Sequence, residues 1–244
     1  MAQQPYVVYT ADKIKNRKKR AKRSKIIITI VVVLLMGVFL VLSLAYNGGS
    51  FTVTLDPNFH TKSGISIYED PVVAKHERKL YNKELKFMDN ISIDWLPKNI
   101  KDFTGGSHNG DNYIAYTFFV DNQGTENQDY WYRVNILDVI KNVDEAIRIM
   151  IVLNDDVKVY AKANPLTGEA EKDTILFYDN KIPVLENRKN FKPGDVDKIT
   201  VVVWLEGDDP ECIDNILGGE IKLSMNITDE HIEVLPYSGG IYDR

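Results

Sequence analysis

Four groups of side chains in this 244-residue chain could do chemistry. The densest is acidic: Asp208, Asp209, Glu211 and Asp214 surround Pro210 and Cys212. Carboxylate oxygens at such spacings suit calcium, but helix capping and solvated turns use the same residues. Calcium is the only cofactor these residues suggest, and no metal ligand or cofactor-binding residue is assigned. The second group is the four histidines, His60, His76, His108 and His231. No His-Glu-x-x-His pair occurs, and His76-Glu77 lacks a second histidine four residues on, so the sequence offers no zinc-protease constellation. His108 lies in a Gly/Ser/Asn run and reads as a solvated loop residue. The third is Cys212, the single cysteine, which can close no intramolecular disulfide and sits where a short structural helix is expected. The fourth is Tyr130-Trp131-Tyr132, which puts aromatic side chains on both faces of a strand. It fits a carbohydrate- or partner-binding surface and a two-sided core strand equally well.

Other motifs fail on inspection. No Gly-x-Ser-x-Gly elbow is present. Gly105-Gly106 and Gly239-Gly240 form no phosphate-binding loop, and Asn90-Ile-Ser and Asn226-Ile-Thr match the glycosylation sequon by composition alone. No catalytic residue is assigned.

The elements that must carry these residues are strands. Short apolar or alternating runs fall at 51–55, 65–68 and 90–95, the last stopped by Pro97. A charged stretch at 74–88 fits a short helix or an extended cover, and 99–111 is loop. Residues 113–120 are apolar on both faces, the pattern of a strand covered on two sides. Asp121-Asn122-Gln123-Gly124 supplies turn chemistry before 130–137, so these two runs are expected to pair antiparallel. Runs at 147–153 and 157–163 flank Asn154-Asp155-Asp156 as a hairpin, and 174–178 is one more strand. Lys192-Pro193-Gly194-Asp195 has a type II turn signature. It leads into 198–206, the strongest strand signal. Residues 220–228 alternate as a strand with one wet face. Between the last two, Asp209 as cap, Pro210 at the first helical position and Gly218-Gly219 as stop predict a short capped helix. Strands every 8 to 15 residues predict an antiparallel β-sandwich of eight to ten strands. The expected divisions are 47–98 packed along a 99–228 core, then a looser 229–244 tail.

The beginning of the chain differs from the rest. Nine Lys and Arg residues fall between Lys13 and Lys25, followed by an uncharged apolar run of 21 residues, 26–46. A helix of this length crosses a bilayer core of about 30 Å at about 1.5 Å per residue. The basic flank predicts that residues 1–25 stay in the cytoplasm as a disordered arm against anionic lipid. A retained anchor is favoured over a cleaved signal peptide, since apolar segments of signal peptides run about 7–15 residues. Beyond residue 46 lie 21 basic and 34 acidic residues, a net charge near −13. That balance argues against nucleic-acid binding and leaves the membrane, and possible self-association or other envelope proteins, as partners.

The Pro193-Gly194-Asp195 turn, the block from Ile199 through Cys212 and the Gly218-to-Met225 strand resemble an uncharacterised group of Gram-positive exported proteins. That group is distantly similar to camelysin and TasA-type proteins. The resemblance covers roughly residues 113–228. It implies a jelly-roll-like β-sandwich and a role in the cell envelope or its matrix. The long apolar span departs from the short cleavable signal of TasA-type chains. The expected function is a non-enzymatic cell-surface protein for envelope interaction, adhesion or matrix attachment, with a surface metallo-hydrolase of camelysin type as the alternative.

Overall fold

The computed structural model describes residues 10–46, 51–83 and 88–229 and divides the chain into two compact units, Met1–Gly48 and Gly49–Arg244. His231, Gly239-Gly240 and the expected tail beyond Asp229 lie outside the described residues.

In the first unit α1 (Ala11–Tyr46) is one helix of 36 residues. Its segment Lys15–Leu40 has the length and apolar composition of a membrane anchor or a signal sequence. Residues 15–25 do not form the disordered arm expected from their charge. Lys, Arg and Ala are good helix formers, and a helix nucleated in the apolar run propagates back through them at little cost.

The second unit is mainly β and has two sheets. One has five strands in the order β10-β6-β12-β1-β3: β1 (Phe51–Leu55), β3 (Lys79–Tyr81), β6 (Gln128–Ile140), β10 (Val184–Phe191) and β12 (Glu220–Thr228). The other runs β2-β5-β11-β7-β8-β9, with β4 also on β5: β2 (Ile65–Tyr68), β4 (Gly106–Ser107), β5 (Tyr113–Asn122), β7 (Ile147–Leu153), β8 (Asp156–Ala161), β9 (Ile175–Leu176) and β11 (Val196–Leu205). Most neighbours are antiparallel, but β1 lies parallel to β12 and β8 parallel to β9, so both sheets are mixed.

Both sheets feed one hydrophobic cluster. Phe51, Val53, Tyr132 and Met225 from the first meet Tyr116, Phe118, Ile149 and Val201 from the second. The Phe51 and Tyr116 rings, one from each sheet, pack edge to face at 6.0 Å. A second cluster covers the other face of the larger sheet. There Ile91, Leu96 and Ile100 lie on Ala115, Met150, Val202 and Trp204, which is why β5 and β11 read as apolar on both faces.

Three expectations about the chain's path are corrected. β5 and β6 do not pair; the intervening loop carries the chain from one sheet to the other. Residues 90–95 make a single bridge from Ile91 to Glu206 and then a 3-10 turn at Ile93–Trp95. Ile93 N donates to the Glu206 carboxylate there, instead of to a neighbouring strand. Residues 51–81 are no separate layer on a 99–228 core, because β1 and β3 extend one sheet and β2 the other. Between β1 and β2 lies a helix missed in the sequence, α2 (Pro57–Ser63). Asp56 Oδ1 caps it on Asn58 N and Phe59 N, and Gly64 closes it with φ +70°.

The expected hairpin is present. Leu153 pairs with Asp156, leaving Asn154, at φ +57°, and Asp155 as the turn. The type II turn is present as well, with Gly194 at φ +82° and Asp195 N on the Lys192 carbonyl.

Candidate functional site

The acidic segment folds differently from the capped helix expected there. Asp209 does not cap a helix: its Oδ2 lies 2.6 Å from Arg148 Nη2 and its Oδ1 accepts from Glu211 N. Held that way, residues 207–213 turn tightly, and only Asp214–Ile216 forms a 3-10 turn. Asp209 and Glu211 come together, joined by Glu171 from a distant loop, with one oxygen of each within 4.8 Å of the others. Asp208 and Asp214 stay exposed. Hydrogen bonding to Asp209, with partial burial, pushes the Glu211 carboxyl up to about 7. Glu171 has no local sequence signal that ties it to this group. Cys212 packs half-buried beside Val143, Ala146 and Ile216, and burial raises its thiol pKa.

The histidines separate. His60 Nδ1 donates to the Ile65 carbonyl at 2.7 Å. His108 is not a solvated loop residue: its ring stacks on Phe103 at 4.6 Å and its Nε2 meets Thr117 Oγ1 at 2.9 Å. Burial lowers its pKa.

His76 belongs to a Ser-His-Asp group that sequence reasoning missed, since its members lie on different strands and loops. Ser66 Oγ donates to Asp121 and meets His76 Nδ1 at 2.7 Å. Gln123 Nε2 reaches both Asp121 Oδ2 and His76 Nε2, each at 2.9 Å. One proton arrangement satisfies every atom: His76 Nδ1–H donates to Ser66, Ser66 to Asp121, and Gln123 to the remaining two acceptors. A hydrolytic triad needs the base to accept the serine proton and the carboxylate to orient the base. Here the serine proton is on the carboxylate side, and Ser66 is 2 % exposed. The group pins the edge strand β2 to β5.

Tyr130-Trp131-Tyr132 divides between two faces. Tyr130 and Tyr132 are buried in the core, where Tyr130 Oη donates to Asp197 Oδ2 at 2.7 Å. The same inner edge holds Arg188 on Asp197 and both Lys158 and Tyr160 on Glu186. Trp131 points the other way, onto the outer face of the five-stranded sheet.

That outer face is largely polar. Strand register sets its rows. Leu185, Arg133, Asn226, Thr54 and Lys79 lie side by side across all five strands. Beside them run Asn135, Ser224, Thr52 and Tyr81, and on the other flank Asn187, Trp131 and Thr228. Asn135 Nδ2 donates to Asn226 Oδ1 at 2.6 Å, and Asn226 Nδ2 to Thr54 Oγ1 at 2.7 Å. The Asn226 amide is thus committed to the ladder, which removes its sequon from consideration. Lys79 Nζ stands 5.0 Å over the Tyr81 ring. Arg133 Nε is buried without a hydrogen-bond partner. The expected wet face of β12 is only partly open: Lys222 and Asn226 are half-buried, whereas Ser224 and Thr228 are 9 % and 5 % exposed.

No family model matches this chain, and no curated protein sequence does. Among solved structures, a β-glucosidase from Kluyveromyces marxianus in complex with glucose is 14 % identical, with a TM-score of 0.27. The match covers 69 % of this chain and 16 % of that one. A selenomethionine form of the same enzyme gives 14 % identity, 66 % and 16 % coverage and a TM-score of 0.23. This chain therefore spans about a sixth of the proteins it matches, and likeness at this level carries no argument about activity.

Proposed function

We propose that this protein is a single-pass, membrane-attached cell-surface protein whose β-rich unit serves envelope interaction, adhesion or matrix attachment. In this reading residues 1–25 stay in the cytoplasm, α1 crosses the membrane, and everything after Tyr46 is outside the cell. The observation that carries it is α1, a continuous helix with an apolar span directly preceded by nine basic residues. The two sheets with a shared core support a jelly-roll-like β-sandwich, in keeping with the distant resemblance to camelysin and TasA-type proteins. A non-enzymatic role is supported by the wiring of Ser66, which is buried and gives its proton to Asp121.

Tags at both ends and protease treatment of intact cells test the orientation. The C-terminal tag should be lost first, and loss of the N-terminal tag first would overturn it. A mature N-terminus near residue 46 would replace the anchor by a cleaved signal. Stoichiometric zinc with chelator-sensitive casein cleavage by the purified full-length protein would overturn the non-enzymatic reading.

A further inference from the structure

We infer that Glu171, Asp209 and Glu211 form a calcium site that ties the loop before β9 to the turn after β11. The inference goes beyond the cell-surface reading and does not depend on it. Three neighbouring carboxylates alone would not make a site; the state of two of their oxygens does. Among the described residues four buried side-chain nitrogen or oxygen atoms lack a hydrogen-bond partner, and two of these are Asp209 Oδ2 and Glu171 Oε1. The Asp209 side chain is 1 % exposed. Arg148 Nη2 lies 2.6 Å from its Oδ2 but directs no N–H at it, so this oxygen meets a charge and still lacks a donor. Glu171 Oε1 is likewise shut off from water with no donor in reach. Two buried acceptors without donors, brought together from separate loops, call for a cation.

Charge points the same way. Arg148 pairs with Asp209, whereas neither Glu171 nor Glu211 forms an ion pair among the described residues. The ionised group therefore keeps an excess of negative charge, which a divalent ion offsets. Geometry selects the ion. One oxygen of each acid lies within 4.8 Å of the others. Calcium holds oxygens at about 2.3–2.6 Å, so its opposite ligands stand about 4.6–5.2 Å apart and all three oxygens fit around one ion. It also accepts an irregular carboxylate set and completes its shell with carbonyls and water, whereas magnesium demands a near-octahedral one. The ligands are held before the ion arrives. Glu211 N donates to Asp209 Oδ1 at 2.9 Å, and Thr174 bonds the Glu171 carbonyl through N and Oγ1, at 3.1 and 2.8 Å. One calcium thus clamps the lead into β9, at the edge of the larger sheet, to the strands β7 and β11 at its middle.

Full-length protein in nanodiscs of zwitterionic lipid, stripped with EDTA and dialysed, tests this by calorimetric titration with calcium chloride. Empty nanodiscs serve as the blank. One calcium should bind per chain, and magnesium chloride should bind at least tenfold more weakly. The thermal midpoint should be higher in millimolar calcium than in EDTA. Glu171→Gln should weaken calcium binding at least tenfold and abolish that thermal shift. It leaves the Arg148–Asp209 pair in place; should it fail to fold, Glu211→Gln decides by the same two readings. Asp214, exposed in the same acidic segment but outside the trio, is the control, and Asp214→Asn should bind calcium as the wild type does. No saturable calcium binding, unchanged affinity in Glu171→Gln, magnesium binding of equal strength, or an equal loss in Asp214→Asn would overturn the site. Its failure leaves the tag-and-protease result untouched, so the two readings fail separately.

Discussion

Arg148 and Asp209 form an ion pair with both side chains almost entirely out of water, 6 % and 1 % exposed, at 2.6 Å. The pair joins the larger sheet, through β7, to the tight turns after β11. Asp209 also touches Glu211, so Arg148 is the counter-charge for a carboxylate group and not for a single acid.

Removing Arg148 should therefore cost more than removing Asp209. Arg148→Met strands a buried carboxylate beside two others, and breaking such a pair from one side costs about 3–5 kcal/mol. The double variant Arg148→Met/Asp209→Leu should recover much of that loss. Chemical denaturation of the four proteins in a double-mutant cycle measures it, and strictly additive losses would count against a coupled pair.

The same group predicts a stability that falls as pH rises. Glu211 holds its proton up to about pH 7 in the folded protein, against about 4.5 for an unfolded glutamate. Between those values the folded state binds more protons than the unfolded chain. The contribution is complete below about pH 4.5 and lost above about pH 7. Thermal midpoints between pH 4.5 and 8 should decline less in Glu211→Gln than in the wild type. Parallel curves for the two proteins would rule out this source.

Ser66→Ala should act on stability alone. It leaves the Asp121 acceptor and the His76 donor without their shared partner, at a cost of about 1–3 kcal/mol. Hydrolysis of p-nitrophenyl acetate should stay at background in both forms. A serine-dependent burst in the wild type would contradict the structural role given to this group.

Gly105 should tolerate no side chain. Its φ is +117°, and a Cβ there would overlap the Glu69 carbonyl oxygen. Glu69 in turn accepts from the Tyr116 hydroxyl at the core. Gly105→Ala should cost about 1–3 kcal/mol from backbone strain alone, read as a lower denaturant midpoint. Gly168, also at positive φ but with open space around it, is the comparison: Gly168→Ala should cost less.

Strand existence was legible in the sequence wherever periodicity or length was strong, as in β5, β7, β11 and β12. Partnership was not, because period-2 alternation says which side chains share a face and nothing about which strand lies alongside. The mistaken β5–β6 pair shows this: adjacency in sequence stood in for a register that only the packed sheets define. The 207–217 segment failed for another reason. Asp209 and Pro210 satisfy the rules for a helix start, but a charge 61 positions away takes the capping carboxylate. The polar face was half legible. Trp131 drew notice as part of an aromatic triplet, whereas Arg133, Asn226 and Thr54 are unremarkable until three strands set them side by side.

The parallel contact between β1 and β12 has a consequence for how the chain is made. Asn226 and Thr54, bonded across it, are 172 residues apart, and β12 is the strand that joins β1 and β3 to β6 and β10. A ribosome delivers β12 after the other four strands of its sheet, so the smaller sheet stays in two halves until β12 has emerged. Long-range pairing of this kind is slow to form, since loop closure must precede the contacts that reward it. The two halves of the smaller sheet therefore wait, each with an unpaired edge, for a single late strand to close them into one.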